Sequence, residues 1–242
     1  MPSEYSLDHT VLFYETEMTG QMGIGRLVDL MLLASEAHSD SLGVGSKAVT
    51  AKGLGWVITQ HQLEVTTLPQ RGQKVLVKTK ARAYNAFFCY RDFWLYDEAG
   101  QEMAKMHSVF VLMDLQKRKM TRILPEIIAP FEVEKTKKVE RLVQPQAPKE
   151  VSQVKNYRVR FMDIDENHHV NNVHYFDWML DSLDADFLLQ HQLTKMNIIY
   201  KNEVHYGQEV QSSVQEDGLT TYHEIQSDAL VACIAQCQWQ KR

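Results

Sequence analysis

Shifted by 148 positions, the chain matches itself without a gap, and this internal repeat constrains its fold more than any other feature. Phe13-Tyr14-Glu15-Thr16-Glu17 falls on Phe161-Met162-Asp163-Ile164-Asp165. An apolar stripe at helical spacing follows in each copy, Ile24, Leu27, Val28, Met31 and Ala34 in the first and Val173, Phe176, Leu180 and Leu183 in the second, and Asp29 falls on Asp177. Further on, Ile58–Val65 resembles Asn197–Val204. Each copy then reaches a Gly-Gln-x-Val turn, at Gly72-Gln73-Lys74-Val75 and Gly207-Gln208-Glu209-Val210. Three matches in one order imply a duplicated domain. The 242 residues suit two domains of roughly 100 to 130 residues each.

Within each copy a helix precedes several strands. Residues 54–66, 73–84, 87–97 and 103–115 read as strands in the first copy, and 153–162, 195–206, 208–215, 219–226 and 229–240 in the second. Turn clusters such as Pro69-Gln70-Arg71-Gly72 and Asp97-Glu98-Ala99-Gly100 bound them. One long helix per antiparallel sheet gives an α+β layer in which the helix buries its apolar stripe on the sheet. The stretch 133–150 is charged and carries Pro145 and Pro148, so it reads as a linker between domains at 1–132 and 151–242.

Composition excludes several classes. Hydrophobic and charged shares of 44% and 24% are those of an ordinary globular protein. Residues 1–149 carry 19 Lys and Arg against 17 Asp and Glu, and residues 150–242 carry 7 against 14. Neither half is basic enough for a nucleic-acid binder. The clusters Lys117-Arg118-Lys119 with Arg122, and Lys135, Lys137, Lys138 and Arg141, read first as solvated faces. No apolar run reaches the roughly 18 residues of a membrane span, and Met1–Tyr5 has no signal-peptide character. Cys89, Cys233 and Cys237 form no CxxC pair and cannot all be paired, so a reducing cytoplasm is expected.

The chemistry concentrates in Asp163-Ile164-Asp165-Glu166-Asn167-His168-His169-Val170-Asn171-Asn172-Val173-His174-Tyr175, at the mouth of the second helix. His169 can carry a proton near neutral pH. Asn167 can donate to an oxyanion. Asp165 can orient either of them. Helix-start amides around Asn171 to Val173 favour negative charge before them. The set suits addition of water or another nucleophile to a polarised carbonyl, with Glu203, placed on a strand after Ile198, Ile199 and Tyr200, as the missing base or nucleophile. The bland readings are specific too. Asn and Asp cap helices, a helix-face histidine such as His174 is usually packed, and a lone strand glutamate usually faces solvent. The histidine spacing fits no standard metal set, so no metal and no cofactor is expected. The first copy keeps the acids but has Thr19 and Gln21 where the second has Asn167 and His169, and Gly23 and Ile24 where it has Asn171 and Asn172. The second copy therefore reads as the reacting one.

The polar run, its helix and Tyr200-Lys201-Asn202-Glu203 resemble the C-terminal half of the acyl-acyl-carrier-protein thioesterases. Leu54-Gly55-Trp56-Val57-Ile58-Thr59, Arg91-Asp92-Phe93-Trp94-Leu95 and Ser108–Asp114 resemble the N-terminal half. The resemblance implies two tandem hotdog domains, each a long helix wrapped by an antiparallel sheet, with Asp165, Asn167, His169 and Glu203 as the catalytic set. Some relatives have a cysteine after that glutamate; this chain has Val204, which removes a cysteine nucleophile. The implied reaction is hydrolysis of a fatty acyl thioester, with Glu203 activating water or attacking directly. The first domain would hold the acyl chain, with Trp56, Phe87, Phe88 and Trp94 as wall residues.

The implied partner is an acidic acyl carrier protein bearing the chain on phosphopantetheine, steered by the basic clusters; no nucleic acid or membrane partner is expected, and homodimerisation stays open. Plant members carry a plastid-targeting extension that this chain lacks, so a bacterial cytoplasmic member is expected. The nearest alternative is a hotdog acyl-CoA thioesterase; a hotdog dehydratase and a non-catalytic acyl-binding module lie further off.

Overall fold

The computed structural model describes residues 3–140 and 142–242, so Arg141 of the second basic cluster lies outside the described residues. Contact density divides the chain into two units, one of residues up to Met22 with Leu27–Leu142, the other of Gly23–Arg26 with Val143–Arg242.

The first unit contains β1 (Glu4–Thr10), α1 (Ile24–Ser41, its first turn grouping with the second unit), α2 (Ser46–Thr50), β2 (Leu54–Val65), β3 (Lys74–Tyr84), β4 (Phe88–Asp97), β5 (Glu102–Asp114), β6 (Lys119–Thr121), α3 (Pro125–Ile128) and β7 (Glu134–Lys135). Its main sheet runs β1-β3-β4-β5-β2, all antiparallel, with β6 beside β5 and β7 parallel to β3. Alternation explains β3: Val75, Val77, Thr79 and Ala81 are buried while the lysines between them face outward. In α1 the predicted stripe is the buried one, with Leu27, Val28, Met31 and Ala34 wholly enclosed. Each large apolar side chain buried in this way contributes about 1.5–3 kcal/mol.

The second unit contains β8 (Gln153–Arg158), α4 (Asn172–Asp181), α5 (Ala185–Gln190), β9 (His191–Tyr200), β10 (Glu209–Asp217), β11 (Thr220–Ser227) and β12 (Leu230–Lys241). Its sheet runs β8-β10-β11-β12-β9, the same order with the same antiparallel pairings. The helix α4 lies on β10 and β11 and buries Val173, Phe176 and Met179. Among the described residues no helix is long and apolar enough to cross a membrane.

The repeat extends to individual hydrogen bonds. Gly72 and Gly207 both have φ +81°, a conformation that favours glycine. The Gly72 amide donates to Val11 and the Val11 amide to Gln73; the Gly207 amide donates to Val159 and the Val159 amide to Gln208. After β2 the amides of Thr66 and Thr67 meet the Met103 carbonyl, and after β9 those of Lys201 and Asn202 meet Ala232. These pairs set a spacing of 135 from the end of β2 to the Gly-Gln turn, so the sequence match of Ile58–Val65 with Asn197–Val204 is out of register by four residues. In the structural register Glu203 corresponds to Leu68. The strand expected over 195–206 runs instead from His191 to Tyr200, and Glu203 sits in the segment after it.

The stretch 133–150 is fastened rather than loose. The Thr136 amide donates to Tyr84 at 2.7 Å and the Glu140 amide to the Tyr90 hydroxyl at 2.9 Å. Further along, the Lys149 amide donates to the Gln215 side chain at 2.7 Å.

Candidate active site

The polar run is a closed loop pinned at both ends. A 3-10 turn at Phe161–Asp163 opens it, and Asp163 is its anchor: 1% exposed, it accepts the Arg160 amide at 2.8 Å and the Arg160 guanidinium at 2.7 and 3.1 Å. Burial alone would raise the Asp163 pKa; the Arg160 hydrogen bonds outweigh it and hold the carboxyl below its ordinary value. The Asp163 carbonyl accepts the Asn171 amide at 2.9 Å, and the Asn171 side chain caps α4 by accepting the Val173 amide at 3.2 Å. The loop is closed between these points by a bridge of Ile164 with Val170.

Three of the four predicted catalytic residues lie on this loop, with Asn167 and His169 both placed beside Asp165. Asp165 accepts the Asn167 amide at 2.8 Å and the Asn167 side-chain amide at 3.3 Å. His169 Nδ1 lies 3.1 Å from the Val170 carbonyl and 3.8 Å from Asp165. A carbonyl only accepts, so Nδ1 carries the hydrogen and Nε2 keeps its lone pair for proton exchange. The tight turn that makes this possible has the Asp165 amide donating to His169 and the His168 amide to Asp165, each at 3.0 Å, and puts His168 at φ +65°.

The fourth residue, Glu203, comes to the loop through its neighbour. The Val170 amide donates to the Val204 carbonyl at 2.8 Å. Next to it, His205 Nδ1 donates to the His168 carbonyl at 3.3 Å. On the other side of Glu203, Asn202 is held to β12 through the Val231 carbonyl at 2.7 Å. The half-buried glutamate is therefore fixed between two clamped residues.

The helix-start amides are only partly available. Those of Asn171 and Val173 are taken by Asp163 and by the cap, which corrects the expectation that the whole stretch could face an oxyanion. The Asn172 amide has no partner among the described residues. His174 packs against Trp178 with Nδ1 at 3.4 Å from Asp177. All three cysteines are buried and free, and burial pushes the Cys89 and Cys237 thiols up to about 12, which disarms them as nucleophiles. Among the described residues no three His, Cys, Asp or Glu side chains gather as a metal site.

The four predicted wall aromatics lie in the first unit and do not form one surface. Trp56 lines a cavity of about 90 Å³. Phe87 lies 5.3 Å beneath the Arg122 guanidinium, and neither it, Phe88 nor Trp94 is in that lining. Trp94 alternates with Phe93 and Leu95, which are fully buried, and sits with Asp92, Lys105 and His107 in a separate polar groove. Sequence reading missed Arg91 and His38 on the cavity side, because only the fold brings these distant residues together.

A family model for the acyl-ACP thioesterase N-terminal domain matches residues 2–131, and one for the C-terminal domain matches residues 146–241. Among solved structures, a Lactobacillus plantarum protein provisionally called an oleoyl thioesterase is 40% identical, with 99% of this chain and 97% of that one covered at a TM-score of 0.95. A Bacteroides thetaiotaomicron acyl-ACP thioesterase shares the fold at 19% identity and a TM-score of 0.88, with 98% of each chain covered. The chloroplastic palmitoyl-acyl carrier protein thioesterase of Gossypium hirsutum is 27% identical over 82% of this chain and 52% of its own. The chain spans about half the length of the first curated relatives it matches.

Proposed function

Because the chain belongs to the acyl-ACP thioesterase family, its two domain models together covering most of the sequence, we propose that it hydrolyses fatty acyl-acyl-carrier-protein thioesters to free fatty acid and carrier protein. The observation that carries the reading is the clamped loop in which Asn167 is hydrogen-bonded to Asp165 and His169 lies 3.8 Å from it, with Glu203 fixed beside Val204.

Each group has a task that its partners support. The thioester carbonyl needs donors aimed at its developing oxyanion; the Asn172 amide and the second hydrogen of the Asn167 amide are such donors. Asp165 holds Asn167 in place through two hydrogen bonds. Glu203 either removes a proton from the attacking water or attacks the carbonyl to give a mixed anhydride that water then cleaves. His169, with its tautomer set by the Val170 carbonyl, takes up on Nε2 a proton released by the attacking water and relays it to the departing thiolate. The first unit takes the acyl chain, with Trp56 in its cavity wall. Exposed lysines at 117, 119, 135, 137 and 138 steer the acidic carrier. Three buried free thiols fit a reducing cytoplasm.

The test is free-thiol release from acyl-carrier-protein and acyl-CoA substrates of matched length, with Glu203→Ala alongside. Preference for the carrier series and a loss of about 10³-fold in kcat for the variant are expected. Preference for acyl-CoA would move the protein to that class of thioesterase, and no thiol release from either series would sink the hydrolase reading.

A further inference from the structure

The cavity in the first unit is apolar at Trp56, Phe110, Ile128 and Phe131, yet it is also lined by Arg91, a charged residue only 6% exposed. Arg91 Nη1 donates to His38 Nδ1 at 3.2 Å and to Thr79 Oγ1 at 3.1 Å, and the guanidinium lies 5.1 Å over the Phe131 ring. Both hydrogen-bond partners are neutral. His38 accepts on Nδ1, so its Nε2 carries the hydrogen and donates to the Ser3 hydroxyl at 2.8 Å. Burial, reinforced by Arg91, pushes the His38 pKa down to about 4.

Two features of Arg91 are left unexplained by the fold. Its Nε and Nη2 have no hydrogen-bond partner among the described residues, and no carboxylate among them lies within ion-pair distance. Glu36, the charged carboxylate of the cavity lining, is exposed and acts on Arg91 only at longer range. Arg91 lines the cavity, so a chain that displaces water from it leaves those two nitrogens costly to bury unless it brings an acceptor. The terminal methyl of a saturated chain supplies no acceptor and would shut water out as well. Size points the same way: a cavity of 150 Å³ holds a benzene ring, so one of about 90 Å³ takes a polar group of a few heavy atoms.

We propose that this cavity receives the oxygen-bearing distal end of an acyl chain, a hydroxyl, oxo or carboxyl group, with Arg91 as the donor that selects it. The proposal deepens the hydrolase reading above and rests on it for the nature of the chain. A site built to hydrogen-bond an oxygen discriminates against the analogue lacking it, because the donor is then left unpaired.

The experiment compares thiol release from carrier-linked saturated, ω-hydroxy and ω-carboxy chains over a range of matched lengths, using the intact protein, Arg91→Met and Arg91→Lys. At the best-fitting length the native chain should favour an oxygenated substrate by about 10-fold or more in kcat/KM, the worth of one hydrogen bond to a charged group. Arg91→Met should bring the ratio to about one, and Arg91→Lys should retain part of it. Absence of any preference in the native protein at every length overturns the proposal while the hydrolase reading stands, and it does so even where the Met variant fails to fold. Absence of all hydrolysis sinks the hydrolase reading instead. Calorimetric binding of free ω-hydroxy against saturated fatty acids then decides the site: about 10-fold tighter binding of the hydroxy acid supports it, and equal affinity overturns it.

Discussion

The loop of residues 163–170 and its counterpart at 15–22 are the same piece of backbone with different side chains. In both, a 3-10 turn is capped by its own acid, with the Leu12 amide donating to Glu15 at 2.7 Å and the Arg160 amide to Asp163 at 2.8 Å. Thr16 bridges Met22 as Ile164 bridges Val170. The Glu17 amide meets Gln21 at 2.9 Å as the Asp165 amide meets His169 at 3.0 Å, and the Met22 amide meets Pro69 as the Val170 amide meets Val204. Thr19 even donates to Glu17 at 3.2 Å, as Asn167 donates to Asp165. What differs is chemistry: Thr19, Gly20, Gln21 and Leu68 stand where Asn167, His168, His169 and Glu203 stand. The hotdog fold therefore makes this loop with either set of side chains, and the groups proposed to react are grafted on a scaffold that does not need them.

The comparison can be broken by making the second loop carry the first loop's side chains. Asn167→Thr with His169→Gln keeps the hydrogen bond to Asp165 and the backbone turn, so circular dichroism and melting temperature should stay close to the native values. Thiol release should fall by about 10² or more, the usual contribution of one positioned acid–base group. If the double variant retained most of its rate, the loop would be a scaffold in both copies and the chemistry would lie elsewhere.

Much of this comparison was legible in sequence, and its limits are physical. The match at 13–17 with 161–165 and the paired Gly-Gln turns are legible because turns and caps restrict residue type. The register of β2 against β9 was not, because apolar and amide residues alternate similarly at a four-residue offset; only the carbonyls of Met103 and Ala232 set it. That shift changes the meaning of Glu203, which then faces a buried leucine in the other copy rather than Glu64. The strand β1 went unseen because half of Glu4–Thr10 is polar and exposed and the rest only partly covered. The three short helices α2, α3 and α5 have four to six residues each, too few to show a period. Asp163 read as one more acid of the active run, yet its burial under Arg160 makes it an anchor.

Acid separates the units in another way. His38 and His61 in the first unit and His223 in the second are buried, and burial lowers their pKa values to about 4, 3 and 3. A histidine whose folded pKa is depressed leaves stability intact above its unfolded pKa, about 6.5. Below that the unfolded chain binds the proton first, and stability falls until the folded pKa is reached. Each buried histidine should thus remove about 1 kcal/mol per pH unit between roughly pH 6 and pH 4. With two such groups against one, the first unit should lose hydrogen-exchange protection earlier on acidification. Equal loss in both units would show that these histidines do not govern it. A smaller effect tests the turn itself. His168 occupies a left-handed conformation that Gly20 supplies in the first copy, φ +65° against +77°. His168→Gly should relieve about 1 kcal/mol of backbone strain and raise the melting temperature by a few degrees.

The smallest expected effect concerns the surface of the first unit, where Lys117, Arg118 and Lys119 occupy the turn from β5 into β6. Lys117 already pairs with Asp114 at 3.3 Å, and Arg122 lies over Phe87, so the turn is only partly available to an approaching partner. Exposed charges of this kind act on encounter rates rather than on the chemical step, and salt screens them over about 10 Å at 0.1 M. Neutralising Lys117, Arg118 and Lys119 together should lower kcat/KM for a carrier-linked substrate a few-fold at low salt and flatten its decline with ionic strength. Hydrolysis of a small uncharged thioester should not change, because nothing in that reaction needs steering. An unaltered salt dependence would clear this turn of the docking role and leave the exposed lysines at 135, 137 and 138 as the face to neutralise next.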